Sequence, residues 1–229
     1  MKTVRTKPAV SRRRGPGRPI AQASQDQRER LLASATTVFS QYGIAATALN
    51  AIAQHAGVTT AMVHYYFKNR DQLLDAVVEE RLMPLLNSIA GPALLEEADP
   101  VQMLLNFCRA VILTADAARW WPPLWVREVA ADGGLLREKL APRFKSLAGP
   151  IIQRIVLGQQ QGKINPHLEA RLTFVSLLGL TMLPLATAQI WRRFPGAQAI
   201  TAETLARHVT ALLGEGLSVR AAGREGGRT

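Results

Sequence analysis

Residues 47–73 read TALNAIAQHAGVTTAMVHYYFKNRDQL, and the fold turns on how this stretch divides. Leu49, Ile52, Ala53 and Ala56 fall at i, i+3, i+4 and i+7, the apolar stripe of a short helix that starts after Thr47 as N-cap. Gly57 ends that helix, and Thr59 caps another that runs to about Tyr65. Two helices joined by a turn as short as Gly57-Val58 make a helix-turn-helix, whose second helix enters the major groove of DNA while the first crosses the backbone. The turn needs a glycine to reverse direction without a Cβ clash, and Val58 plugs the gap between the helices. Thr60 and Ala61 are small enough for the second helix to lie close to a duplex, and its N-terminus favours phosphate. Lys68 and Arg70 flank the start of the following helix, where charge and backbone N–H together suit a phosphate.

Working outward, the residues on both sides also read as helix. An upstream helix starts near Ser24, where Ser24 to Gln27 has the capping-box pattern. It carries Leu31, Ala35, Val38 and Tyr42 on one face and stops at Gly43. Asn69 caps a fourth helix, with Leu73, Val77 and Leu82 pointing inward until Pro84 disturbs or ends it. Beyond lie helices from Asp99-Pro100 to about 115, over 120–131, over 135–161 with a kink near Pro142 or Gly149-Pro150, from Asn165-Pro166 to about 193, and from Thr201 to about 217. No stretch alternates with period two between hairpin turns, so no sheet is expected. The expected fold is all-α. Residues 1–23 are a disordered basic arm, 24–82 a helix-turn-helix domain with its linking fourth helix, 83–217 a larger helical domain, and 218–229 a flexible tail. Residues 174–191 approach the length of a membrane span, but Gly179, Pro184 and several polar side chains lower their hydropathy and suit a core or subunit interface instead.

The chain has 229 residues, 48% of them hydrophobic and 20% charged, which excludes a wholly disordered protein and leaves room for a sizeable core. One cysteine excludes an intramolecular disulfide framework and a multi-cysteine zinc site, and points to the reduced cytoplasm. The net charge of +11 is unevenly placed. Residues 1–20 hold seven bases and no acid, whereas residues 21–81 hold five bases and six acids. The excess is mainly a tail, and a cationic tail suits a polyanion such as nucleic acid or an anionic membrane surface. The four histidines do not cluster at ligand spacing, and no carboxylate pair stands out as acid and base. No enzyme, cofactor, metal or membrane span is therefore expected. Cys108 reads as a buried small hydrophobe, and Tyr66 and Phe67 as core.

At these residues the sequence resembles the TetR family of bacterial transcriptional regulators. The resemblance rests on Ala35, Phe39 and Gly43, then Thr47, Ile52, Ala53, Ala56, Gly57, Val58, Thr59, Ala61 and Val63, then Tyr66, Phe67, Asn69, Arg70, Asp71 and Leu73. It covers about residues 26–82. Two positions depart from the family pattern: His64 stands where a phosphate-touching tyrosine is usual, and Ile44 where an aromatic is usual. The resemblance implies a homodimeric regulator, a repressor of a near-palindromic operator in double-stranded DNA, released by a small and mostly apolar effector. A rival reading is an architectural DNA-binding protein without an effector.

The residues assigned to DNA are Thr47, Thr59, Thr60, Ala61, His64, Tyr65, Lys68 and Arg18. Thr47 and Thr59 serve either as caps alone or as phosphate contacts as well. Gly17-Arg18-Pro19 resembles the centre of an AT-hook, which leaves minor-groove insertion and looser phosphate attraction both open. For the second domain the resemblance implies an effector pocket, assigned to Phe107, Trp121, Trp125 and Phe174, with Arg109, Arg119 and Arg127 available to an anionic end of the effector. It also implies a four-helix dimer interface from the last two long helices, assigned to Leu177, Leu178, Leu205, Val209 and Leu212. The charge map generates a prediction. If three or four of the arm's bases sit near phosphates, deleting residues 2–20 lowers the slope of log affinity against log salt by about 3 per protomer. An unchanged slope across a salt series would show that the arm does not touch DNA.

Overall fold

The computed structural model describes residues 20–218, so the basic arm through Pro19, including Arg18, and most of the C-terminal tail lie outside the described residues. Helix α1 spans Ile20–Tyr42, four residues ahead of the expected start. The Ser24 hydroxyl caps nothing; it lies 3.0 Å from the Tyr66 hydroxyl. Gly43 ends α1 in the left-handed region at φ +84°, its N–H bonded to the Phe39 carbonyl. Helix α2 spans Leu49–Ala56 and α3 Thr60–Phe67. Between them Gly57, at φ +70°, sends its N–H back to the last carbonyls of α2 while Val58 N–H bonds Ala53, which closes the turn without a side-chain cap. Asn69 caps α4, Arg70–Val77, by accepting from the Gln72 N–H at 2.9 Å.

Pro84 disturbs the fourth helix without ending it. A π-helical turn, Val78–Leu82, precedes α5, Met83–Ile89, because a proline has no N–H to give four residues back and its ring crowds that carbonyl. After the single turn α6, Pro92–Leu95, the chain enters α7, Pro100–Ala117, with Asp99 as N-cap. Helix α8, Trp121–Trp125, runs into a second π-helical turn, Val126–Ala130. Helix α9, Leu136–Gln160, carries Pro142 and Pro150 on its exposed side, where the freed carbonyls reach water.

Helix α10, Ala170–Ala186, starts later than expected. Glu169 caps it, while Asn165 is used elsewhere: its N–H bonds the Leu217 carbonyl at 2.9 Å and its side-chain amide bonds Gly216, fastening this loop to the end of the last helix. A break at Thr187 leads to α11, Ala188–Trp191, and Thr201 caps α12, Ala202–Leu217. The described residues contain no sheet, only the bridge between Ile164 and Ser218.

One apolar cluster runs without interruption from Leu31, Phe39, Ile52, Val63 and Leu73 to Leu104, Ile112, Ile155, Leu177 and Val209. Helix α12 packs on α7, α10 packs on α7 and α9, and α8 packs on α1. Among the described residues no single helix is long and apolar enough to cross a membrane. Cys108 is fully buried in α7, and burial pushes its thiol up to about 12. A thiol so placed is neutral and shielded. A disulfide reagent at neutral pH is therefore expected to leave Cys108 intact in the native protein and to label it only in denaturant. Labelling within minutes under native conditions would contradict this packing.

Candidate nucleic-acid interface

Helix α3 buries Val63 and Phe67 and turns Ala61, His64 and Tyr65 to solvent, with Tyr65 78% exposed. Its seat is built from α1. The Tyr66 hydroxyl meets Ser24 and donates to Gln27 at 3.4 Å, and the Arg28 guanidinium lies 5.2 Å over the Phe67 ring. Arg28 also grips both carboxyl oxygens of Glu80, at 2.6 and 2.5 Å, which holds that carboxyl below its usual range. Tyr66 and Phe67 thus anchor the helix, and the neighbouring Tyr65 ring stands edge-on to Tyr66, its centroid 5.0 Å away.

The assigned residues fare differently. Thr59 is the N-cap of α3, but its side chain makes no cap bond and is exposed. Thr60 is half-buried in the first turn. Lys68 is exposed at the end of α3 with a positive φ of 53°, a bend that turns the chain toward α4. Thr47 needs correction. Ala48, not Thr47, is the N-cap of α2, and the Thr47 hydroxyl is buried and donates to the Gly43 carbonyl at 2.6 Å, so it is spent inside the α1–α2 turn. His64 is exposed, yet its Nδ1 donates to the Lys68 carbonyl at 2.8 Å. In the neutral ring that leaves Nε2 an acceptor, which suits a phosphate poorly; only the imidazolium has a second proton to donate.

The interface is tied to the rest of the molecule by a residue that sequence reasoning missed. Glu128, in the second π-helical turn, is 4% exposed. One carboxyl oxygen accepts from the Ile44 N–H at 2.8 Å, in the α1–α2 turn, and the other from the Leu135 N–H at 3.0 Å, ahead of α9. Gly43 permits this approach. A Cβ there would sit 3.0 Å from Arg127 Cδ and 3.2 Å from the Glu128 oxygen. The only trace in the sequence is an acid that, with Arg127, interrupts an apolar run, WWPPLWVREVAA.

The proposed pocket residues do not come together. Trp121 and Trp125 line a small apolar cavity of about 10 Å³ with Leu86, Leu140 and Phe144, room for one water at most. Phe107 and Phe174 instead pack on each other, ring centroids 6.0 Å apart, where α7 meets α10. The large cleft, about 820 Å³, lies between α1, the α7–α8 elbow and α10–α11, and Arg119 and Arg127 line it. Of the assigned interface residues, Leu177, Leu205 and Val209 turn into the chain's own core. Helix α10 is apolar all round, so its sequence does not say which face is inside. Leu178 is half-buried and Leu212 is 56% exposed, and the exposed apolar face of α10 is made by Leu172, Val175 and Leu183.

Residues 31–77 match the family model of bacterial regulatory proteins, tetR family, which spans α1 through α4. Over that segment the chain is similar to TetR-family regulators. It is similar to the HTH-type transcriptional regulator RutR of Escherichia coli O157:H7, 28% identical over 189 residues, which cover 81% of this chain and 83% of that one. Two solved structures share its fold. One is the ketosteroid transcriptional regulator KstR2 of Mycobacterium tuberculosis, at 18% identity and TM-score 0.66, covering 85% of this chain and 96% of that one. The other is AibR in complex with isovaleryl coenzyme A and operator DNA, at 21% identity and TM-score 0.64, covering 81% and 97%. The matched segment contains the α2–α3 helix-turn-helix pair.

The Glu128 joint contributes to the stability of the α1–α2 turn. Removing its carboxyl strands the buried Ile44 N–H and a second donor, and a stranded buried donor costs about 1–3 kcal/mol. Glu128→Ala is predicted to destabilise the protein by roughly 3 kcal/mol. Glu128→Gln keeps one acceptor oxygen and is expected to cost about half as much. Denaturant titration of the three proteins measures this, and a Glu128→Ala midpoint equal to wild type would refute the joint.

Proposed function

We propose that the protein is a sequence-specific repressor that occupies a near-palindromic operator as a homodimer and leaves it when a small, mostly apolar effector binds its C-terminal helices. Residues 24–82 are the DNA-binding unit and residues 83–217 the effector and dimerisation unit. The observation that carries the reading is the outer face of α3. Ala61 and Tyr65 project from it and Thr60 opens it, while buried Val63 and Phe67 and the Tyr66 anchor keep it rigid. A rigid helix with small residues at its start and one large amphipathic side chain is suited to the major groove, where base edges are read by direct contact. Lys68, exposed at the far end of α3, and Thr59 at its start are placed to take phosphates on either side. His64 joins them only when its imidazole is protonated.

The dimer reading rests on Leu172, Val175 and Leu183 along α10, with Leu212 of α12, all more than half exposed. An apolar face of this length on a soluble regulator favours cover by a second copy. Two such protomers would present two α3 helices to half-sites about one helical turn, roughly 34 Å, apart. The effector acts by preferring a conformation in which that spacing no longer fits the operator.

The roles divide under mutation. Tyr65→Ala is expected to blur sequence preference, narrowing the gap between operator and scrambled duplex. Lys68→Ala is expected to weaken both alike and to reduce the salt slope by about 1. Affinities for the two duplexes across a salt series decide the matter; equal losses on both duplexes for Tyr65→Ala would remove it from base readout.

A further inference from the structure

The cleft between α1, the α7–α8 elbow and α10–α11 gathers cations with few carboxylate partners. Several basic side chains elsewhere reach carboxylates across the fold: Arg28 to Glu80, Arg81 to Glu29, Lys139 to Asp75, and Arg143 to Glu79. Three arginines line the cleft against one acid. Arg119 has Asp116 only at 4.0 Å and is 79% exposed. Arg127 has no carboxylate partner among the described residues. Arg192 lies 5.5 Å over the Trp191 ring, and its Nε is buried with no hydrogen-bond partner. The Trp191 ring is itself fixed, its Nε1 donating to the Pro184 carbonyl at 2.6 Å. A guanidinium held on a fixed ring, with two like charges on the same cavity and a single acid against them, is arranged for an anion.

The remaining walls say what the anion is attached to. Trp120, Pro122, Pro123 and Ile190 give the cleft apolar surface, and Thr37, Ser40 and Gln41 of α1 give it hydroxyls and an amide. The volume of about 820 Å³ falls within the range of sites that take small organic molecules. We propose that this cleft binds a small organic anion with an apolar body, its carboxylate, phosphate or sulfonate group held by Arg119, Arg127 and Arg192 and its body laid along Trp120 and the two prolines.

The site is connected to the DNA-binding pair through two adjacent residues. Arg127 reaches over Gly43, its Nη1 3.6 Å from where a Cβ on that glycine would stand, and Glu128 next to it holds the Ile44 N–H. An anion that draws Arg127 into the cleft therefore acts on the segment that positions the α1–α2 turn. A ligand shifts such an equilibrium by its difference in affinity for the two positions of that segment. This consequence rests on the effector-responsive reading above, whereas the binding itself does not.

The test uses the full chain without DNA and two probes, anilinonaphthalene sulfonate and its uncharged counterpart N-phenylnaphthylamine, titrated by fluorescence. The sulfonate is expected to bind one site per chain more tightly than the neutral probe. Arg127→Gln with Arg192→Gln is expected to weaken the sulfonate by about tenfold or more and the neutral probe by less than about twofold, since each charged hydrogen bond is worth about 1.5–3 kcal/mol. Arg119→Gln, on an exposed side chain that packing does not depend on, gives the same direction if the double variant melts early. Sulfonate binding that is absent, unchanged in the arginine variants, or no tighter than that of the neutral probe would overturn the proposal. Because no DNA is present, such a failure leaves the operator reading untouched, and the Tyr65 and Lys68 variants test that reading separately.

Discussion

The two hydrogen bonds of the Glu128 carboxyl are the constraint on which the rest of the arrangement depends. They join backbone N–H groups 91 positions apart in the chain, at Ile44 and Leu135, through one side chain that is almost wholly buried. A buried carboxyl is costly unless its oxygens are bonded, and here both are. Gly43 suits this place twice over, for its left-handed φ and because a Cβ would crowd Arg127 and Glu128. The turn that ends α1 and launches α2 is thereby fixed to the C-terminal helices, not merely to the local chain.

This fixture gives the α2–α3 pair a definite position relative to the C-terminal helices, including those that form the cleft. Helix α3 is held from within by Val63, Phe67 and Tyr66, and from outside by the Arg28 bridge from Phe67 to Glu80. Lys139 to Asp75, at 2.5 Å, adds a surface tie between α9 and α4. Such exposed pairs contribute little stability, typically under about 1 kcal/mol each, so they refine an orientation that the apolar cluster and Glu128 determine. The proposed mechanism, in which an effector changes the spacing of two recognition helices, needs such rigidity, because a loose joint would absorb the ligand's effect before it reached the DNA.

Much of the DNA-binding half was legible in the sequence because its signals are local. Gly43 and Gly57 as stops, Asn69 as a cap, and the inward faces of Leu31, Ala35, Leu73 and Val77 follow from spacing and backbone chemistry alone. What escaped depends on partners far away in the chain. Thr47 looked like a cap because its type suits one, but its hydroxyl lies within reach of the Gly43 carbonyl. Asn165-Pro166 looked like a helix start, yet Asn165 is taken by Leu217 and Gly216 at the end of α12. The four aromatics proposed for one pocket fall in two places because spacing along helices does not tell how α7, α8 and α10 are rotated about their axes. The same ambiguity put Leu177, Leu205 and Val209 at a dimer face when they fill the core. Glu128 gave no usable signal, since an isolated acid in an apolar helix reads equally well as a solvated side chain.

The central claim, that one buried carboxyl fastens the α1–α2 turn to the C-terminal helices, is tested most directly by native-state hydrogen exchange at the Ile44 amide. The account predicts that this amide exchanges only through opening of the core, with protection close to that of buried amides in α7, and that Glu128→Gln lowers its protection or that of Leu135 while α7 keeps its own. Fast exchange at Ile44 in the wild-type protein, under conditions where α7 remains protected, would contradict it.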